Sequence, residues 1–167
     1  MLTPGEIGLA RRVFGGSVVY AKVWIHCGSY LPFSLQNKNT AMTPNGELYF
    51  RDQLYSADFS KENFLLQHLF IHEMAHVWQF QKGMWVKLRG AFSWSVSYSY
   101  DLDIAKKLHD YPMEQQAQII ADYFMLAVFG RSAWVSQRGK NVTYTGLPDD
   151  NIKSKYETVL SAFFKQR

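Results

Sequence analysis

Residues 71 to 79 read Ile-His-Glu-Met-Ala-His-Val-Trp-Gln. On a helix, His72 and His76 share one face a turn apart, so both imidazoles can reach one ion, and Glu73 lies beside them within reach of a water at that ion. Two histidines on an apolar helix can also be satisfied core residues. That reading must bury the Glu73 carboxylate without benefit, and an unpaired buried charge is costly. The pattern therefore points to a divalent metal, zinc by donor type, with Glu73 as general base in amide hydrolysis.

A catalytic zinc site needs a third protein ligand and an open position. The extended metzincin pattern would place glycine at 79 and histidine at 82, whereas this chain has Gln79 and Lys82, which excludes that class. The third ligand must lie further on. Glu114, in "MEQQAQIIADYF", is the best candidate, because it starts a second strongly patterned helix that can pack against the first. His109, Asp110, Asp101 and Asp103 compete with it. The developing oxyanion needs a donor, for which Tyr98, Tyr100, His109 and Tyr111 are all available. Asp122 is read either as a partner orienting a ligand histidine or as a surface carboxylate. His68 is read as a helix-face residue and His26 as structural.

The elements that would position these groups follow from local patterns. Thr3-Pro4-Gly5-Glu6 has capping-box order ahead of an apolar series, predicting a first helix that stops at Gly15-Gly16. "SVVYAKVWIH" predicts a strand at about 18 to 26. Asn45-Gly46 predicts a hairpin turn with Glu47 to Phe50 as its second arm, an exposed edge on which a peptide substrate could lie by main-chain pairing. Three- and four-residue spacing from 61 to 81 predicts a long helix ended by Gly83. Tyr111-Pro112 opens another helix, stopped by Gly130, and Pro148 opens a last one. Residues 84 to 110 are mixed, and the aromatic stretch Trp94 to Tyr100 reads as buried core in preference to a substrate groove. Early strands and late helices give an α+β fold in one domain over 1–167.

Composition agrees. The 167 residues are 47% apolar and 19% charged, a globular balance. The net charge of +4 is scattered without a basic run, so no nucleic-acid partner is expected. Cys27 is the single cysteine, which excludes an internal disulfide and a cysteine metal cluster and reads as a buried thiol. No apolar run has the roughly 18 residues of a membrane span, and no signal peptide is visible, so the chain is expected in the cytoplasm of the producing cell.

"LTPGEIGLARRVFG", "AMTPNGELYF", "QHLFIHEMAHVWQFQKG" and "MEQQAQIIADYF", in that order, resemble the Vgr-related zincin-like metallopeptidases, which occur free-standing and as C-terminal extensions of VgrG spike proteins of bacterial type VI secretion systems. The resemblance covers about residues 2 to 130. It implies a gluzincin-type α+β fold, zinc on His72, His76 and Glu114, and Glu73 as base. It also implies an antibacterial effector toxin active in the periplasm of a target cell, with a cognate immunity protein and a secretion spike as partners. The Ala121-Asp122 pair lies further from Glu114 than in the E-x-x-A-D helices of some other gluzincins, so no role for Asp122 is carried over. Two other functions compete: a peptidoglycan peptidase or amidase for wall remodelling or lysis, and a non-catalytic module stapled by zinc. Glu73 argues against the last, since a structural zinc site fills four positions with ligands and has no use for a base.

Overall fold

The computed structural model describes residues 1–84 and 97–167. Helix α1 spans Pro4–Phe14. The Thr3 hydroxyl accepts from the Glu6 amide at 3.1 Å and the Glu6 carboxylate accepts from the Thr3 amide at 2.8 Å, the reciprocal cap expected from sequence. The second oxygen of Glu6 accepts from the Phe59 amide at 3.0 Å, so the buried cap also docks the turn Phe59–Lys61 onto α1.

Strand β1 is Ile25–Cys27 and strand β2 is Leu48–Phe50, paired in parallel. Both strand expectations need correction. Residues 18 to 24 form no strand; Tyr20–Lys22 is a single 3-10 turn. The Val19 amide and carbonyl are taken by the side-chain amide of Gln81, at the end of the next helix, and the Tyr20 hydroxyl donates to the Gly15 carbonyl, so this stretch is bonded by side chains in place of a ladder. The turn at Asn45-Gly46 forms, with Gly46 at φ 75°, but the hairpin is reduced to one antiparallel pair, Met42 with Tyr49. The carbonyl of Thr40 is captured by the Gln36 side chain, which ends the pairing there.

Nor is Glu47 to Phe50 an open edge. Leu48 and Phe50 bond to the β1 side, and Tyr49 exchanges both main-chain bonds with Met42. The outer edge is instead the segment 41–43, where Ala41 and Thr43 form no main-chain hydrogen bond to the described residues. Cys27 ends β1 with its side chain exposed, not buried, its thiol 3.6 Å from Asp52 Oδ1.

Helix α2 spans Phe64–Gln81, capped by the Asn63 side chain, which accepts from the Leu65 and Leu66 amides. It is buried nearly all round, and α3, Met113–Ser136, is its main neighbour. Gly130, at φ 85°, leaves the helical conformation and divides α3 where the sequence predicts a stop. By length and composition α3 could cross a membrane, contrary to the expectation that no segment could. Its buried side chains, Gln116 through Asp122 and Phe124 through Leu126, are those of a helix inside a protein core. Two short helices, α4 (Ile152–Val159) and α5 (Ser161–Phe164), cover the far side and put Tyr156 and Phe163 into the core. The α+β expectation holds, as central helices flanked by a small sheet.

Candidate metal centre

The candidate ligands come from the facing sides of α2 and α3. His72 and His76 sit one turn apart in the fully buried middle of α2, with ring centroids 5.0 Å apart. Glu114 lies in the first turn of α3, its Oε2 3.6 Å from His72 Nε2 and 3.1 Å from His76 Nε2. One donor atom from each of the three residues lies within 4.8 Å of the others. Two imidazole nitrogens and a carboxylate oxygen, with the third donor on a separate helix, suit a zinc ion and leave room for a further ligand.

The electrostatics reflect the same crowding. Burial alone would lower the His76 pKa, but the Glu114 carboxylate, helped by Glu73 and Gln79, raises it to about 9. Burial would raise Glu114, yet hydrogen bonds and charge from His72 and His76 hold it well below the usual carboxylate range. The three donors are thus already assembled at one point between the helices.

Glu73 is buried beside the histidines, and its Oε2 accepts a 2.6 Å hydrogen bond from the Thr43 hydroxyl. Thr43 lies on the outer main-chain segment described above. The turn that follows it is pressed onto α2 at Gly46, where an added Cβ would come 2.5 Å from the Phe80 ring. No sequence pattern marked Thr43, because its partner is 30 residues away.

Tyr98 is the one of the four candidate donors that faces the cluster. Its ring lies 6.0 Å from that of His72, and burial together with the charges of Glu114 and Glu73 pushes its pKa up to about 12, which keeps the hydroxyl protonated. Its main chain is strapped in place: Gln115, next to Glu114, donates to the Ser99 carbonyl at 2.8 Å, and the Thr143 hydroxyl donates to the Tyr98 carbonyl at 2.8 Å. Of the stretch Trp94 to Tyr100, residues 94–96 lie outside the described residues; Tyr98 is partly exposed at the site and Tyr100 is core.

The remaining candidates are elsewhere. His109 points to solvent against Asp110, and the Tyr111 hydroxyl accepts from the Asp103 amide. The Asp101 and Asp103 carboxylates accept from nearby main-chain amides. His26 pairs with Glu47 at 2.8 Å and stacks on Tyr49. Asp122 fits neither expectation. It is fully buried and accepts from Tyr100, Gln118 and the Thr143 amide, and its partner histidine is His68 at 2.7 Å, not a member of the cluster.

The class these features define is an α+β domain with a His-His-Glu cluster between two packed helices and a second buried glutamate at its side. The chain is 41% identical to the solved effector domain of Pseudomonas aeruginosa VgrG2b, with a TM-score of 0.69 over 86% of this chain and 83% of that one. It is also 44% identical over 131 residues to the type VI secretion system spike protein VgrG2b of Pseudomonas aeruginosa, a match covering 74% of this chain and 13% of that protein's length. No family model matches it. The chain belongs to the family of the VgrG2b effector domain.

Proposed function

We propose that the protein is a zinc-dependent peptidase that acts as an antibacterial effector of a type VI secretion system. The observation that carries the enzymatic half is the convergence of His72, His76 and Glu114 within 4.8 Å of one another, with Glu73 buried next to them. The effector half rests on the similarity to VgrG2b. A secretion spike as carrier, an immunity protein in the producing cell and action on peptide bonds in the target periplasm belong to the same proposal.

In this reading His72, His76 and Glu114 hold the ion. Zinc, when bound, would supply Lewis acidity, polarising the scissile carbonyl and lowering the pKa of water. Glu73 takes a proton from the attacking water as its oxygen bonds to the carbonyl carbon, and delivers that proton to the amine nitrogen as the carbon–nitrogen bond breaks. Thr43 engages Oε2 of Glu73, which orients the carboxylate and leaves Oε1 to handle the proton. Tyr98 donates to the oxygen on which negative charge develops. An extended substrate pairs with main-chain groups of Ala41 and Thr43, which form no main-chain bond to the described residues, beside the base.

Metal analysis of the purified protein is expected to find about one zinc per chain, lost in His72→Ala, as a three-ligand site requires. Glu73→Gln should retain zinc and lose hydrolysis of a labelled unfolded protein such as casein. Expression in a test bacterium should be toxic when the chain is sent to the periplasm, and harmless there with Glu73→Gln. A wild-type protein that binds no zinc overturns the enzymatic reading, and equal toxicity of the Glu73→Gln variant overturns the link between hydrolysis and killing.

A further inference from the structure

Gln79 is fully buried on α2, one turn beyond His76, with its amide oxygen engaged within α2 and its amide nitrogen engaged across to α3. Its Oε1 lies 2.8 Å from His76 Nδ1. Its Nε2 donates to the Met113 carbonyl at 2.9 Å and to Gln116 Oε1 at 3.3 Å. Gln116 in turn donates from Nε2 to the Tyr111 carbonyl at 2.7 Å.

The directions of these bonds are not interchangeable. A main-chain carbonyl only accepts, so the Gln116 group facing Tyr111 must be its NH2, and the Gln79 group facing Met113 must likewise be its NH2. Gln116 therefore offers its oxygen to Gln79, and Gln79 offers its oxygen to His76. Reversing the Gln79 amide would set oxygen against the Met113 carbonyl and NH2 against the His76 ring. His76 must then carry a hydrogen on Nδ1, which directs Nε2 to the cluster with Glu114.

We propose that Gln79, backed by Gln116, is a positioning residue that locks His76 with its proton on Nδ1 and its Nε2 presented to the metal, and ties that lock to the turn of α3 carrying Glu114. Met113 and Tyr111 flank the start of that turn, so docking of α3 and arming of His76 are one event. This rests on the metal reading of the site given above. A merely structural glutamine would hold the helices together without influencing the imidazole.

Two measurements separate these cases. In protein labelled with 15N at its imidazoles, a His76 Nδ1–H resonance protected from solvent exchange should be seen in the metal-free wild type, identified by its absence in His76→Gln, and should vanish in Gln79→Leu. Zinc affinity, measured by competition with a chelator, should fall about 10- to 100-fold in Gln79→Leu. Gln79→Glu restores an acceptor for Nδ1–H but not the donors to Met113 and Gln116; it should recover zinc affinity to within a few-fold while melting at a lower temperature than the wild type. The proposal is overturned if the Nδ1–H resonance is unprotected in the wild type or survives in Gln79→Leu, or if folded Gln79→Leu binds zinc as the wild type does. A wild type that shows the protected resonance yet binds no zinc would instead remove the metal reading and leave the hydrogen-bond lock standing.

Discussion

In the proposed mechanism Glu73 and its neighbours divide the chemistry among separate atoms, and single substitutions should separate their contributions. Thr43→Val removes the 2.6 Å bond to Glu73 without changing side-chain volume much. Hydrogen bonds to charged groups are worth about 1.5–3 kcal/mol, so kcat should fall roughly tenfold or more with zinc content unchanged. Tyr98→Phe removes the hydroxyl and keeps the ring against His72; removal of one oxyanion donor costs about 10²-fold in kcat, and a matching fall in kcat/KM with KM unmoved is the expected kinetic split. If both variants hydrolyse at wild-type rates, neither residue has the role assigned to it.

The pair His76 and Glu114 also sets a pH dependence for the chelator-treated protein. The His76 pKa is raised in the fold to about 9 from 6.5, so its contribution to stability is complete below pH 6.5 and is lost as pH rises through about 9. Glu114 is shifted the other way, so its contribution is present above its ordinary value near 4.5 and is lost only in strong acid. Thermal melting in the presence of a chelator should therefore be highest between about pH 4.5 and 6.5 as far as this pair is concerned, and should decline from pH 7 to 10. His76→Gln should flatten the alkaline decline, since the group that titrates is gone.

The elements that present these residues depend on a few close approaches. The turn that carries Thr43 reaches α2 because residue 46 has no side chain: its φ is 75° and a Cβ would meet the Phe80 ring at 2.5 Å. Gly46→Ala should destabilise the fold by about 1–3 kcal/mol through backbone strain and displacement of Phe80, and should lower activity by shifting Thr43 from Glu73. Urea denaturation and the kcat of the folded fraction measure the two effects independently. A Gly46→Ala protein of wild-type stability and rate would show that the turn does not position the base. Helix α3 is fixed at its start by Gln79 and Gln116, and further along by His68 against Asp122.

Asp122 acts across the domain. Its carboxylate gathers His68 of α2, Gln118 of α3, the Tyr100 hydroxyl and the Thr143 amide, and Tyr100 passes the chain of bonds to Tyr156 of α4 at 2.5 Å. With the carboxylate fully buried, Asp122→Ala leaves several donors unpaired in the core and should cost about 3–5 kcal/mol in denaturant unfolding. The loss should also loosen the strap that holds Tyr98, since Thr143 serves both residues. An Asp122→Ala variant as stable as the wild type would contradict a network of this weight.

Much of this was legible from local order along the chain. The cap at Thr3 and Glu6, the long helix bearing His72, Glu73 and His76, and the later helix bearing Glu114 are written in spacing and turn chemistry, since helices and caps are made within a few residues. The resemblance carried by those same segments pointed to the VgrG spike proteins, and the chain belongs to the family of the VgrG2b effector domain. The strand boundaries were less accessible, because Val19 is bonded by Gln81 and Thr40 by Gln36, and a short strand is defined by distant partners more than by its own residues. Local pattern names the histidines, the glutamates and the helices that carry them. Packing brought Glu114 to the pair, selected Tyr98 from four candidates, gave Asp122 to His68, and set Thr43 on Glu73 and Gln79 on Met113 and Gln116. Each of those is a contact between groups on different segments of the chain, and only the docking of one element on another determines which atoms they meet.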